Sequence, residues 1–110
     1  MSYAHTEEFE GFTITLECLP EDTAPQDCFA GDPESDAETF RLIESGFYLW
    51  FIAKVSASRE GVTLATDYLG GCCYESADQF VKESLGYFED MRRTVVDAAR
   101  ATITKLAQSN

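Results

Sequence analysis

The stretch FYLWFIAKVSA, residues 47–57, decides the fold because it is the most apolar run of the chain. Its side chains alternate, with Leu49, Phe51 and Val55 on one face and Trp50 and Ile52 on the other. Apolar residues on both faces are typical of a central strand that is covered on both sides near its start. The pattern therefore predicts the middle strand of a sheet.

Two further strands are predicted next to this one. Residues 58–61 form a hairpin connection, since Gly61 can adopt positive φ, and residues 62–69 return as the partner strand. Upstream, residues 12–18 alternate between apolar and polar side chains, as in a half-buried strand that Pro20 ends. Gly70 and Gly71 favour a sharp exit from the strand before them over an anion-binding turn.

A short helix is predicted over residues 36–45. Ser35 and Glu38 fit a capping box, and Gly46 is placed to end the helix. The alternative is a strand over residues 39–44 that turns into the central strand.

A helical pair is predicted at the C-terminal end. Ser76 and Gln79 fit a second capping box, and Gly86 breaks the helix that they open. An amphipathic helix then runs nearly to the end of the chain, on apolar residues at spacings of three and four: Phe88, Met91, Val95, Ala99, Ile103 and Leu106.

These elements predict an α+β fold. We expect an antiparallel three-stranded sheet, or a four-stranded one, with the short helix and the C-terminal helical pair packed on one face. At 110 residues and 45% apolar composition, the chain fits one domain over 1–110. Residues 1–10 are interpreted as a flexible tail that includes the only histidine, His5, and residues 20–34 as a long, exposed acidic loop.

Negative charge is concentrated in the first part of the chain. Residues 1–46 contain twelve carboxylates and one base, Arg41, whereas the rest is close to neutral and the whole chain has a net charge of −12. A field of one sign destabilises a compact domain, so it either serves solubility or meets a cationic partner.

Composition and motifs exclude several function classes. Direct binding to nucleic acid or to a membrane is not expected, because phosphate contacts need lysine and arginine. No catalytic motif, cofactor fingerprint or zinc-ligand spacing occurs, so we expect no enzyme activity, no cofactor and no metal. The N-terminus lacks the pattern of a signal peptide, which predicts the cytoplasm of a bacterial host and reduced thiols, with a Cys18–Cys28 bridge as the oxidised alternative.

The candidate site is a partner-binding surface. Carboxylates along a loop and a helix start would occupy positions that phosphates occupy on a nucleic acid, and exposed tyrosines often anchor interfaces. The acidic candidates are Asp22, Asp27, Asp32, Glu34, Asp36 and Glu38, and the candidates around the Gly-Gly-Cys-Cys stretch are Tyr68, Tyr74 and Glu75.

Size, acidity and two stretches of sequence carry a resemblance to a class of proteins. The stretches are WFIAKV, residues 50–55, and YLGGCCYES, residues 68–76. With them the chain resembles the small acidic inhibitor proteins of phages and plasmids, of the anti-CRISPR and antirestriction type. The resemblance implies a nucleic-acid mimic that inhibits a nuclease complex, such as a CRISPR effector, by occupying its nucleic-acid or partner-binding surface without chemistry.

The sequence leaves a second function open. The chain would then be a small structural or regulatory adaptor that docks or forms a homodimer through an aromatic patch, with its acids serving solubility alone. Binding that is insensitive to salt would favour this alternative over the inhibitor of a basic nucleic-acid-binding protein.

Overall fold

The computed structural model of the chain describes residues 4–21 and 33–107, and for residues 33–36 it describes the backbone alone. These residues form four strands and three helices. They are β1 (His5–Phe9), β2 (Phe12–Pro20), α1 (Pro33–Glu44), β3 (Leu49–Arg59), β4 (Val62–Tyr74), α2 (Ala77–Glu83) and α3 (Tyr87–Ala107).

The strands form one antiparallel sheet in the order β1-β2-β3-β4, which confirms the predicted α+β class with four strands. Each strand pairs with its neighbours in sequence, so β3 lies between β2 and β4 as its apolar pattern predicted. Register places Leu16 opposite Val55, and Val55 opposite Asp67. The sheet is therefore a meander with local connections.

The core lies between one face of the sheet and the helices α2 and α3. Alternate residues of β2 and β3 point into it, and α3 supplies a stripe at helical spacing. Edge-on ring contacts from Phe80 to Phe51 and Phe88, at 6.0 and 6.3 Å between centroids, join the layers. The fully buried members are Phe12, Ile14, Leu16, Ala53, Val55, Ala57, Phe80, Val96 and Ala99.

The interpretation of residues 1–10 as a flexible tail is wrong for His5–Phe9, which pair with β2 from His5 opposite Leu16 to Phe9 opposite Phe12. A tight turn with positive φ at Glu10 and Gly11 joins the two strands. His5 packs its ring against Phe88 at 5.6 Å instead of lying in solvent. The flexible tail was predicted because residues 1–10 are mostly polar. A strand of an antiparallel sheet can nevertheless be half polar, since only one of its faces has to pack on the core.

Helix α1 exists, so the alternative of a strand over residues 39–44 is wrong. It begins at Pro33, earlier than predicted, and Ser35 lies inside its first turn instead of capping it. Proline suits the first helical position because its missing N–H would have no partner there. Gly46, with φ of 85°, follows the helix end as predicted.

Strand β4 continues past its predicted end to Tyr74. The pairing of β3 with β4 shifts between Phe51 opposite Cys72 and Ala53 opposite Leu69, so that two residues of β4 stand opposite one residue of β3. Gly71 has φ of 66°, a value that glycine adopts without strain. The two glycines therefore mark a β-bulge within the strand and not an exit from it.

The helical pair forms as predicted. Ser76 is the N-cap of α2 and accepts a hydrogen bond from Gln79 N at 3.1 Å. Leu85 and Gly86, both with positive φ, separate α2 from α3. Across residues 4–21 and 33–107, no helix combines the length and the apolar composition that crossing a membrane requires.

Candidate functional site

The acidic candidates are only partly placed by the structure. Asp22, Asp27 and Asp32 lie outside the described residues, and Glu34 and Asp36 belong to the first turn of α1, of which the structure describes the backbone. Glu38 is exposed on α1. Of the acidic candidates, Glu38 is therefore the one whose side chain the structure describes.

The two candidate tyrosines lie on opposite faces of β4, on either side of the bulge. Tyr68 stands opposite Lys54 on the face away from α2 and α3, and it is 59% exposed as predicted. Tyr74 ends the strand on the helical face and is half-buried against Phe80, with 5.1 Å between ring centroids. The structure therefore does not join Tyr68 and Tyr74 into one patch, and it brings Tyr74 together with Glu75.

A groove lies beside Tyr74, at the end of the sheet where β3 begins and β4 ends. Its volume is about 430 Å³, within the range of pockets that hold small ligands. Residues from α1, from the segment before β3, from β4 and from α2 form it. Its lining is Thr39, Tyr48, Cys73, Tyr74, Gln79 and Glu83, and we call it the tyrosine groove.

Local contacts hold the walls of the tyrosine groove in place. Tyr48 N donates a hydrogen bond to the carbonyl of Leu42 at 3.1 Å, and its ring meets Phe47 edge-on at 5.1 Å. The Gln79 carboxamide oxygen accepts from Glu75 N at 2.7 Å, which fixes that side chain at the start of α2. The groove is therefore a preformed feature of the fold.

The segments that form the tyrosine groove carry exposed carboxylates. Glu83 lines it, Glu75 follows Tyr74, Glu38 precedes Thr39, and Glu44 lies in the last turn of α1. Within residues 4–21 and 37–107, none of these four carboxylates forms a salt bridge. Their charges add to one another at this end of the sheet.

Most bases of the chain are committed elsewhere. On α3, Arg92 binds Glu7 at 2.8 Å, and both Arg93 and Arg100 bind Glu10, the latter at 2.6 Å. The bonds from Arg93 and Arg100 lower the pKa of the Glu10 carboxyl, chiefly through the hydrogen bond that Arg93 donates. The basic side of α3 therefore neutralises the β1–β2 hairpin and not the tyrosine groove.

Within residues 4–21, most carboxylates of the acidic N-terminal part are bound by other groups of the chain. Glu7, Glu10 and Glu17 pair with bases of α3 and β3. Glu21 accepts a hydrogen bond at 2.7 Å from the Gly71 N–H, which the bulge leaves without a strand partner. The bulge therefore does bind an anion. That anion is the Glu21 carboxylate of the chain itself, a contact that the sequence analysis did not predict.

Apolar side chains are exposed at the same end of the sheet. Phe47 is 52% and Leu49 is 42% exposed, and Leu49 stands opposite Tyr74 in the register. Tyr87, 54% exposed, shares with Tyr74 a second pocket of about 310 Å³ along residues 69–74. Aromatic anchors beside charged groups are the usual composition of a protein–protein interface.

The cysteines have the character of packed thiols. Burial raises the pKa of Cys72 to about 11, and burial also raises the pKa of Cys18 and of Cys73. These three are unbridged, while Cys28 lies outside the described residues. In the described part of the chain, no three His, Cys, Asp or Glu side chains are grouped so as to hold a metal ion.

Comparison of the chain with protein-family models, with curated proteins and with solved structures finds no match.

Proposed function

We propose that the chain is a non-enzymatic inhibitor that docks the tyrosine groove and its carboxylates onto a basic surface of a nucleic-acid-handling protein. Docking there blocks binding of the nucleic acid or of a protein partner. The observation that supports this most directly is a groove with aromatic walls whose segments carry exposed carboxylates that form no ion pair in the described part of the chain.

Charge placement supports a cationic partner. Glu83 lines the groove, and the segments that form it also carry Glu38, Glu44 and Glu75. Arg92, Arg93 and Arg100 instead bind the hairpin of β1 and β2. Like charges that are left unneutralised attract a basic surface over a distance of about 10 Å, which accelerates association and makes it sensitive to salt. A bacterial DNA- or RNA-binding protein, including a CRISPR effector, presents such a surface.

The exposed apolar side chains favour a surface that binds a protein partner rather than one that contacts only solvent. Charged rims steer association, but most binding free energy comes from a few aromatic and apolar anchors at the centre of the interface. Phe47, Leu49 and Tyr87 are available for this, since each is at least 42% exposed beside the groove. The acids would then determine where the chain binds and the apolar side chains how tightly.

The test compares two variants that lose the same charge at opposite ends of the sheet. Glu38→Gln with Glu83→Gln removes two carboxylates at the tyrosine groove, and Glu8→Gln with Glu60→Gln removes two at the hairpin end. Tagged protein captures its target from a bacterial lysate, and the affinity of the purified target is then measured at low and at physiological salt.

We expect the groove variant to bind at least ~10-fold more weakly, the hairpin variant to bind as wild type, and nucleic acid to compete with the chain. Equal binding by the two variants, affinity that is flat between the two salt concentrations, or no competition by nucleic acid would each contradict the proposal.

The second candidate function is an adaptor that docks through its apolar patch, with the acids serving solubility. The exposure of Phe47 and Leu49 is the observation that favours it. For an adaptor, Tyr74→Ala or Leu49→Ser should abolish binding at every salt concentration, while Glu38→Gln with Glu83→Gln should leave affinity unchanged. The two candidates therefore predict opposite results for Glu38→Gln with Glu83→Gln.

A further inference from the structure

The tyrosine groove combines aromatic side chains with a carboxylate, which distinguishes it from the rest of the acidic surface. Two tyrosines, Tyr48 and Tyr74, form part of its lining together with Glu83, the last residue of α2. Glu83 is exposed and makes no ion pair with any base in residues 4–21 and 37–107, although Lys82 beside it pairs with Asp78 at 3.2 Å. The groove thus joins aromatic faces to a free negative charge.

We propose that the tyrosine groove binds an arginine side chain of the partner. A guanidinium is planar, stacks on aromatic faces and donates two parallel hydrogen bonds to a carboxylate. The groove offers both kinds of contact in about 430 Å³, enough for one long side chain. The inference rests on the proposed function, because it names the group by which the basic partner is recognised.

Arginine fits this groove better than the alternatives. An ammonium group is a compact, strongly hydrated charge that gains less from stacking on tyrosine, so lysine should bind more weakly. An anionic ligand is disfavoured, since Glu75 and Glu83 would repel it. The contact between Tyr74 and Phe80, at 5.1 Å, holds one ring in place before binding, which reduces the entropy lost on docking.

The experiment uses the full chain and defined peptides. Isotope-labelled protein is titrated with a peptide of alternating arginine and glycine, and separately with the matching lysine peptide, while amide chemical shifts are recorded by NMR. We expect shifts centred on residues around Tyr48, Tyr74 and Glu83, and an affinity for the arginine peptide about 5-fold above that for the lysine peptide.

Variants separate the groove from the surface charge in general. Glu83→Gln should weaken arginine binding about 10-fold, whereas Glu60→Gln, which removes the same charge at the β3–β4 turn, should change it less than 2-fold. Tyr48→Leu should weaken binding and Tyr48→Phe should retain it, because the ring and not the hydroxyl stacks on the guanidinium. The amide spectrum of each variant reports whether it is folded.

Equal affinity for the two peptides, equal effects of Glu83→Gln and Glu60→Gln, or shifts spread over every acidic surface would overturn the arginine site. The outcome is distinguishable from that of the proposed function. Groove-centred arginine binding by a chain that captures no basic target would refute the inhibitor alone. A captured target whose affinity depends on Glu38 and Glu83 together but not on Tyr48 would refute the arginine site alone.

Discussion

Replacing Arg92 with methionine should loosen β1 from α3. The Arg92 guanidinium lies 4.1 Å from the centre of the Phe9 ring and donates a hydrogen bond to Glu7 at 2.8 Å. Methionine keeps the apolar stem of the side chain and removes only the charged group, so the loss measures the guanidinium contacts.

The magnitude follows from the burial of the pair. The side chains of Arg92 and Glu7 are only 23% and 24% exposed, so their ion pair should contribute about 1 kcal/mol, the upper end for surface pairs. Stacking on Phe9 adds about 1 kcal/mol. The Arg92 Nε is buried with no hydrogen-bond partner in the described part of the chain, and its removal offsets part of the loss. We expect a net loss of about 1.5 kcal/mol, or roughly 5 to 10 °C in melting temperature.

Urea unfolding monitored by circular dichroism measures this loss. Lys82→Met is the matched control, because Lys82 forms an ion pair with Asp78 in which both side chains are about two-thirds exposed, and it should cost less than ~0.5 kcal/mol. A double-mutant cycle with Glu7→Gln should give a coupling energy of about 1 kcal/mol. The reasoning is refuted if Arg92→Met costs no more than Lys82→Met, or if the cycle shows no coupling.

Three further predictions concern the bulge, the hairpin and the thiols. Gly71→Ala should cost about 1 kcal/mol in urea unfolding, because alanine is strained at φ of 66°, and an unchanged stability would argue against the bulge. The lowered pKa of Glu10 contributes stability that is present above the ordinary carboxyl value and is lost as pH falls through the lowered one, so Glu10→Gln should unfold with a shallower acid dependence than wild type; parallel pH profiles would contradict this. Cys72, with its pKa raised to about 11, should react with iodoacetamide at pH 8 far more slowly in the native than in the urea-unfolded chain, which peptide mass spectrometry measures; equal rates would mean that it is not packed.

Those parts of the fold that depend on local pattern could be predicted from the sequence. The alternation of β2, the apolar run of β3 and the cap of α2 by Ser76 each involve residues a few positions apart, and each was confirmed. Strand β1 was missed although its partner β2 follows directly after the turn at Glu10 and Gly11, because its side chains are mostly polar. Polar composition predicted a tail, whereas backbone pairing with β2 makes it a strand, and the ion pair of Glu7 with Arg92, 85 residues away, ties it to α3.

The candidate site was less predictable for the same reason. Tyr74 and Glu75 were selected from their place beside a glycine turn. Tyr74 lines the groove and Glu75 follows it, but Tyr48 and Glu83 were missed because four separate segments meet there. One signal was available in the sequence. Lys82 is the only base among residues 60–91, so the acids of α2 and its cap, Glu75, Asp78 and Glu83, outnumber the bases that local pairing could supply.

The position of the arginines explains more of the surface than the position of the acids. The sequence places twelve carboxylates in residues 1–46, yet Glu7, Glu10 and Glu17 are neutralised in the fold and Glu21 binds a backbone amide. A partner would therefore encounter only those carboxylates that form no ion pair with a base of the chain. Arg92, Arg93 and Arg100 all face the β1–β2 hairpin and so cannot neutralise Glu83 at the other end of the sheet, which forms no ion pair in the described residues. The same end exposes Phe47, Leu49 and Tyr87. A surface of this composition is suited to bind a basic protein, because it can attract the partner over a distance and hold it through apolar contact.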